Sequence, residues 1–223
     1  MILAVISDLD GTLIDSLTEG IQSVQHVAHV LEWRVPHRDE VRRQWGRPLR
    51  LMLEHLWPGQ NHAKFLETRD TLAHESDARH PVYPGVFETL QRLRQQGKIV
   101  GLHTNRTWAH DALKTRLQIS GFGTDAFAFI HTPENGVPPK PDPRSLLALL
   151  SYLERQHRVR KRNEVCFVSD HPDDADMALI KCGVRFAGVL TGAATRDDFA
   201  LHGVPDSSIV PSIAELPELL DTW

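Results

Sequence analysis

Cysteine is scarce in this chain. Cys166 and Cys182 are the only two in 223 residues. Two cannot make a disulfide framework at this length, and no zinc-ligand spacing surrounds them. Both are expected as buried free thiols in a reducing compartment, which places the protein in the cytoplasm. Long apolar runs are also missing. Nothing approaches the roughly 20 residues that a membrane-spanning helix needs. Met1–Ile6 is too short, and lacks the basic flank, to act as a leader. Charge of one sign is not in excess, with 25 Lys and Arg against 29 Asp and Glu. A net −4 gives no field that would gather nucleic acid or an anionic membrane. The basic run Arg155–Arg162 stands just before an apolar segment and reads as a solvated helix end and loop. There is no Walker-type glycine loop. The one loose Gly-x-Gly, at Gly121 and Gly123, precedes a strand where dinucleotide binding needs it to come after one.

What is present alternates. Ile2–Ser7, Ile99–His103, Ala126–His131, Glu164–Ser169 and Val184–Leu190 are short continuous apolar runs, the signature of strands covered on both faces. Helical spacing fills the intervals. Phe87, Leu90 and Leu93 follow Pro84-Gly85. Ala112, Leu113 and Leu117 follow Thr107. Ser145–Leu153 follows Pro143. Met177, Ala178 and Ile180 follow Pro172 and run to Gly183. This order predicts an α/β fold, a doubly wound parallel sheet with a Rossmann-like core. Between about 17 and 80 no strand is legible. Ile21, Val24, Val27, Ala28 and Leu31 line one helix face, and Val41–Trp45, Leu49–Leu56 and Phe65–Leu72 suggest more. The division expected is therefore an α/β core of 1–16 with 81–223, and an inserted α-helical cap of 17–80. Trp33, Trp45 and Trp57 belong to the cap's core on this reading.

Open parallel sheets bind ligands beyond the carboxyl ends of their strands. Asp8, Asp10, Gly11 and Thr12 follow the first strand. Thr104 and Asn105 follow the second, Lys140 comes after the third, and Asp170, Asp173 and Asp174 follow the fourth. Asp8 and Asp10 point the same way on an extended chain. With Asp170 they make a dense negative site that, left alone, would raise at least one pKa. An all-oxygen set suits Mg2+. Thr104, Asn105 and Lys140 can donate to phosphate oxygens, Gly11 permits close backbone approach, and a carboxylate can attack phosphorus.

The run Asp8-Leu9-Asp10-Gly11-Thr12-Leu13 resembles the signature of the haloacid dehalogenase-like hydrolase superfamily. Thr104-Asn105, Lys140-Pro141-Asp142-Pro143 and Ser169-Asp170 with Asp174 are similar to its remaining motifs. Val5–Ser16 and Tyr83-Pro84-Gly85 look most like the phosphoglycolate phosphatase-like branch, whose helical cap follows the first motif. The resemblance implies a phosphatase. Asp8 is its nucleophile. Asp10 is the general acid and base. Asp8, the main-chain carbonyl of Asp10, and Asp170 hold Mg2+. Thr104 and Lys140 would bind phosphate, with Asn105 assisting by its backbone or side chain, and Asp174 would orient Lys140 or a metal-bound water. Two positions depart from the pattern. Ser169 stands where glycine is usual, and His171 stands where a small polar residue is common, as a substrate contact or a helix cap.

Asp10 favours phosphate esters over halides, since a leaving halide needs no proton. Lys64, the one cap lysine, lies in a polar helix and does not suit phosphonate cleavage. The turn Trp45-Gly46-Arg47-Pro48-Leu49-Arg50 resembles the specificity turn of related caps and makes Arg47 and Arg50 candidates for the leaving group. The substrate expected is a small phosphorylated metabolite, the assembly a monomer or homodimer. A phosphomutase of the same fold, or a non-catalytic protein that keeps the metal and phosphate site, would show the same motifs.

Overall fold

The computed structural model describes residues 1–45, 49–73, 81–106 and 110–223. Six strands form: β1 (Ala4–Ser7), β2 (Ile99–His103), β3 (Phe129–His131), β4 (Val165–Ser169), β5 (Arg185–Val189) and β6 (Ile209–Val210). All pair in parallel, in the order β3-β2-β1-β4-β5-β6. β1 is central, paired with β2 through Ala4↔Ile99 and with β4 through Ala4↔Val165.

The continuous apolar runs follow from burial on both faces. Along β1, Val5 faces one hydrophobic cluster while Ala4 and Ile6 face the other. β4 repeats this, with Cys166 and Val168 on the first side and Val165 and Phe167 on the second. Every residue of both strands is buried. Fully burying a side chain such as Phe167 contributes roughly 1.5–3 kcal/mol. Burial also pushes the Cys166 thiol well above its usual range, so this free cysteine stays a protonated thiol.

The contacts divide the chain into two units, Met1–Asp15 with Pro81–Trp223, and Ser16–His80. The second is helical: α1 (Ser16–Val30), α2 (Arg38–Arg42), α3 (Leu49–Leu56) and α4 (His62–Ala73). Ile21, Val24, Val27 and Ala28 form the buried stripe of α1. Trp57 lies 5.5 Å from Trp33 and 5.3 Å from Phe65, ring centre to ring centre. Trp45 covers Gly20 so closely that an added Cβ would stand 1.7 Å from its ring. The three tryptophans thus pack within this unit.

The sheet's covering helices are α5 (Val86–Gln95), α6 (His110–Ile119), α7 (Pro143–His157), α8 (Pro172–Ala175), α9 (Arg196–Leu201) and α10 (Leu216–Asp221). Asp142 caps α7 by accepting from the Arg144 N–H, with Pro143 in the first turn. α7 ends at Arg158 in a left-handed conformation, φ 59°, and Val159 is buried beside it. The basic run 155–162 is therefore a helix end and loop pinned by one apolar side chain.

Three expectations need correction. The helix after Pro172 keeps α geometry only to Ala175 and continues as a π-turn over Asp176–Lys181. The wider turn buries Met177 and Ala178 but leaves Ile180 72% exposed, because five-residue pairing does not return Ile180 to the face that 3.6-residue spacing assigns it. The strand read at Ala126–His131 contracts to Phe129–His131. A sixth strand, β6, is present beyond the five read, and at two residues it is too short to leave a period in the sequence.

Candidate active site

With all strands parallel, their carboxyl ends share one edge, and the chain order reverses there between β1 and β4. Asp8 follows β1 directly, and its N–H donates to the Val168 carbonyl of β4 at 2.8 Å. Asp170 follows β4. Both are buried, at 8% and 6% exposure. Between them Gly11 turns the chain at φ 76°, a left-handed conformation that glycine adopts without strain. An added Cβ at Gly11 would sit 2.3 Å from Asp170 Oδ2, so the residue is needed for space as well as for conformation. Thr12 and Asp170 bond twice. The Asp170 N–H donates to Thr12 Oγ1 at 3.1 Å, and that hydroxyl donates to Asp170 Oδ1 at 3.3 Å.

Lys140 is 7% exposed and its ammonium is shared. Nζ lies 2.8 Å from Asp8 Oδ1 and 2.8 Å from Asp174 Oδ2, over the Phe167 ring at 5.4 Å. Burial alone would depress its pKa, but the Asp174 and Asp8 carboxylates outweigh that and raise it. Lys140 is a fixed cation here. The carboxylates remain in excess. Burial, against the pull of Lys140 and with the nearby Asp174 and Asp10 charges, pushes Asp8 up to about 6. Burial and the Asp8 charge hold Asp170 well above the carboxylate range.

Asp174 gains a second donor from the residue that departs from the family pattern. Ser169 Oγ donates to Asp174 Oδ2 at 2.8 Å and accepts from the His171 N–H. Where glycine would leave a gap, serine ties the strand end to the carboxylate that holds Lys140. His171 caps α8, its Nδ1 accepting from the Asp173 N–H at 3.2 Å. Of the two roles read for it, capping is the one displayed.

Thr104 is buried, its N–H on the His131 carbonyl at 3.0 Å. Asn105, expected to reach phosphate by its backbone or its side chain, commits the side chain elsewhere. Nδ2 donates to the Lys140 carbonyl at 2.9 Å, and Oδ1 accepts from the Lys140 N–H at 2.8 Å. The amide is committed to the main chain that carries Lys140, so any phosphate contact by Asn105 falls to its backbone. Asp10 is partly exposed and meets Arg106. Nε donates to Oδ2 at 2.8 Å, and Nη2 pairs with Oδ1.

The donors suit a hard cation. The Asp8 and Asp170 carboxylates with the Asp10 main-chain carbonyl are all oxygen, and both acids are raised first by burial, with neighbouring carboxylates adding, a cost a bound cation would lower. No three His, Cys, Asp or Glu side chains form a ready cage among the described residues. The expected set has two such side chains, which leaves coordination positions to water and substrate, as Mg2+ prefers.

Among the specificity candidates, Arg50 is exposed on α3, and Arg47 lies outside the described residues. Two further contributors were not among the residues expected. Nothing in the local sequence marks Arg106 beyond its place next to Asn105. In the segment after β5, Thr191 Oγ1 donates to the Gly11 carbonyl at 2.5 Å. There an added Cβ on Gly192 would stand 1.7 Å from Asp170 Oδ2. Both places lie just past the carboxyl end of a parallel strand, the same signal that marks Asp8 and Asp170. His103 and His131, 5.0 Å apart at the ends of β2 and β3, are held neutral by burial. No helix among the described residues is long and apolar enough to cross a membrane.

A family model described as haloacid dehalogenase-like hydrolase matches residues 5–189. A phosphoglycolate phosphatase of Mesorhizobium japonicum is 30% identical over 64% of this chain and 65% of its own length. The chain thus spans just under two thirds of that relative. The pyrophosphatase PpaX of Bacillus velezensis is 30% identical, covering 92% of this chain and 94% of its own. Among solved structures, a haloacid dehalogenase-like family hydrolase of Streptococcus pneumoniae superposes with a TM-score of 0.79 at 17% identity, over 98% of each chain, a likeness of fold.

Proposed function

This chain belongs to the haloacid dehalogenase-like hydrolases, in their phosphoglycolate phosphatase-like branch, and we propose that it hydrolyses a small phosphate monoester through an aspartyl-phosphate on Asp8. The observation that carries this reading is the buried group of Asp8, Lys140, Asp170 and Asp174 at the strand reversal, with Thr104 and Asp10 on the same edge.

The steps follow from these side chains. An Asp8 carboxylate oxygen attacks phosphorus, and the bond from phosphorus to the leaving oxygen breaks. Asp10 gives that oxygen its proton, which requires the Arg106 fork to release one Asp10 oxygen so that the acid can be protonated first. Asp10, now ionised, takes a proton from water as the water oxygen bonds to phosphorus, and the bond to Asp8 breaks, restoring both acids. Lys140 and the Thr104 hydroxyl hold the phosphoryl oxygens. Asn105 fixes Lys140 through its main chain, while Asp174 and Ser169 fix its ammonium. Mg2+, held by Asp8, Asp170 and the Asp10 carbonyl, would supply the positive charge that lets two anionic partners approach. Ser16–His80 takes the place of the family's helical cap. The names of the relatives put phosphoglycolate and pyrophosphate first for assay.

The test is release of p-nitrophenol from p-nitrophenyl phosphate with Mg2+, with EDTA, and with Asp8→Asn. Metal-dependent release that disappears in the variant supports the reading. Release that survives Asp8→Asn removes Asp8 as the nucleophile.

A further inference from the structure

Asp170 follows β4, and the segments beside it follow β1 and β5, the two strands that flank β4. Gly11 and Gly192 are where those segments close on the carboxylate. A Cβ added to Gly11 would stand 2.3 Å from Asp170 Oδ2, and one added to Gly192 would stand 1.7 Å from the same atom. The carboxylate therefore has little room to turn while both segments keep their places.

Thr191 carries two of the bonds that fix the β5 segment. Its Oγ1 donates to the Gly11 carbonyl at 2.5 Å, and its own carbonyl accepts from Tyr83 Oη at 2.9 Å. Tyr83 is itself well anchored. Its N–H donates to the Leu13 carbonyl at 3.0 Å, Ile14 bridges to Val82, and the Asp15 N–H donates to the Pro81 carbonyl at 2.8 Å. Tyr83 also packs on the cluster that contains Val5 and Val168. Burial, and after it the Asp15 and Asp170 charges, hold the phenol far above its usual range, so it stays protonated and able to donate. The bonds thus run in series, from Tyr83 to Thr191 to Gly11, with a glycine at each side of Asp170.

We propose that Tyr83 and Thr191 are positioning residues for the metal site, which hold the Gly11 and Gly192 segments together and so fix the Asp170 carboxylate in the orientation that a cation takes. This rests on Asp170 as a metal ligand, as in the hydrolytic reading above. Outer partners that orient a metal ligand are worth about 10- to 100-fold in affinity. Loss of either hydroxyl frees Gly192 to back away and Asp170 to turn. Loss of the second then has little left to release.

The experiment is a calorimetric titration of the metal-free protein with Mg2+, in the absence of substrate. Wild type, Tyr83→Phe, Thr191→Val, Thr191→Ser and the double variant Tyr83→Phe with Thr191→Val are compared, and unfolding midpoints in EDTA show which of them are folded. Tyr83→Phe and Thr191→Val should each weaken Mg2+ about tenfold. Thr191→Ser keeps the hydroxyl and should stay within about threefold of wild type. The double variant should fall within about threefold of either single, where independent losses would multiply to about a hundredfold. One folded single variant is enough to decide the matter. Mg2+ affinity unchanged in that variant would overturn the proposal, and so would losses that multiply in the double variant, or a Thr191→Ser as weak as Thr191→Val. Asp170→Asn is the control. Binding that survives it removes the ligand on which the proposal rests. Wild type that binds Mg2+ through Asp170 yet hydrolyses no phosphate ester would sink the hydrolytic reading and leave this one standing.

Discussion

Replacing Asp8 with asparagine should make the metal-free protein more stable at pH 8, although it removes the proposed nucleophile. Asp8 is buried and its pKa is pushed from 3.8 to about 6. Between those values the folded state binds more protons than the unfolded chain, so stability falls as pH rises through this window. Above about pH 6 the penalty is complete. Two pKa units at about 1.4 kcal/mol each bring it to about 3 kcal/mol. Asparagine removes that penalty and relieves Asp170, whose pKa is raised by burial and then by the Asp8 charge. Against this, Lys140 loses one of its two carboxylates. A net gain of about 2 kcal/mol at pH 8 is expected, or roughly 4–8 °C in Tm for a chain of this size. Thermal unfolding of both proteins in EDTA at pH 8 and pH 4.5 tests it. The gain should vanish at the lower pH, where wild-type Asp8 is itself protonated. Adding Mg2+ at pH 8 should raise wild type and narrow the gap. A variant no more stable than wild type at pH 8, or a difference that does not change with pH, would refute the account of Asp8 as a strained charge.

Two further substitutions probe the surroundings of the same acids. Gly192→Ala puts a methyl group into the space of Asp170 Oδ2, at 1.7 Å before relaxation. It should cost about 1–3 kcal/mol in urea unfolding and weaken activation by Mg2+ in a metal titration; an unchanged metal titration would count against Asp170 as a ligand. Ser169→Gly restores the residue usual in the family and removes the bond to Asp174 at 2.8 Å. It should cost about 1 kcal/mol of stability while kcat changes less than about tenfold, because Lys140 still holds Asp174. A fall in kcat of about a hundredfold would show that Ser169 does more than brace that carboxylate.

The fold was legible because its signals are local. β1, β2 and β4 are continuous apolar runs since both faces are covered. The helices after Gly85 and Pro143 announce themselves through an apolar stripe and a Pro in or just before the first turn. β6 was not legible because two residues carry no period. The π-turn was hidden because Ile180 fits a 3.6-residue pattern that the backbone does not follow. The motif acids were legible because each stands directly after a strand. What stayed hidden was pairwise geometry. Nothing in the local sequence says that Asn105 spends its side chain on the Lys140 backbone, that Arg106 grips Asp10, or that Ser169 and Lys140 meet on one oxygen of Asp174. Those contacts join residues up to 96 apart, and only the closed sheet brings them together.

The Asn105 clasp bears on how such a chain can change over generations. One amide satisfies both the N–H and the C=O of Lys140, as a neighbouring strand would, and so stitches together two points 35 residues apart. Thr104 and Lys140 are thereby held in register by a side chain next to one of them. The exposed positions of the stretch between can change while its two ends still meet at that amide, though Leu113, Leu117, Phe122 and Ala126 there are tied to the core. Variation in relatives of this chain should therefore collect in that stretch, and Asn105 should be among the last residues to drift.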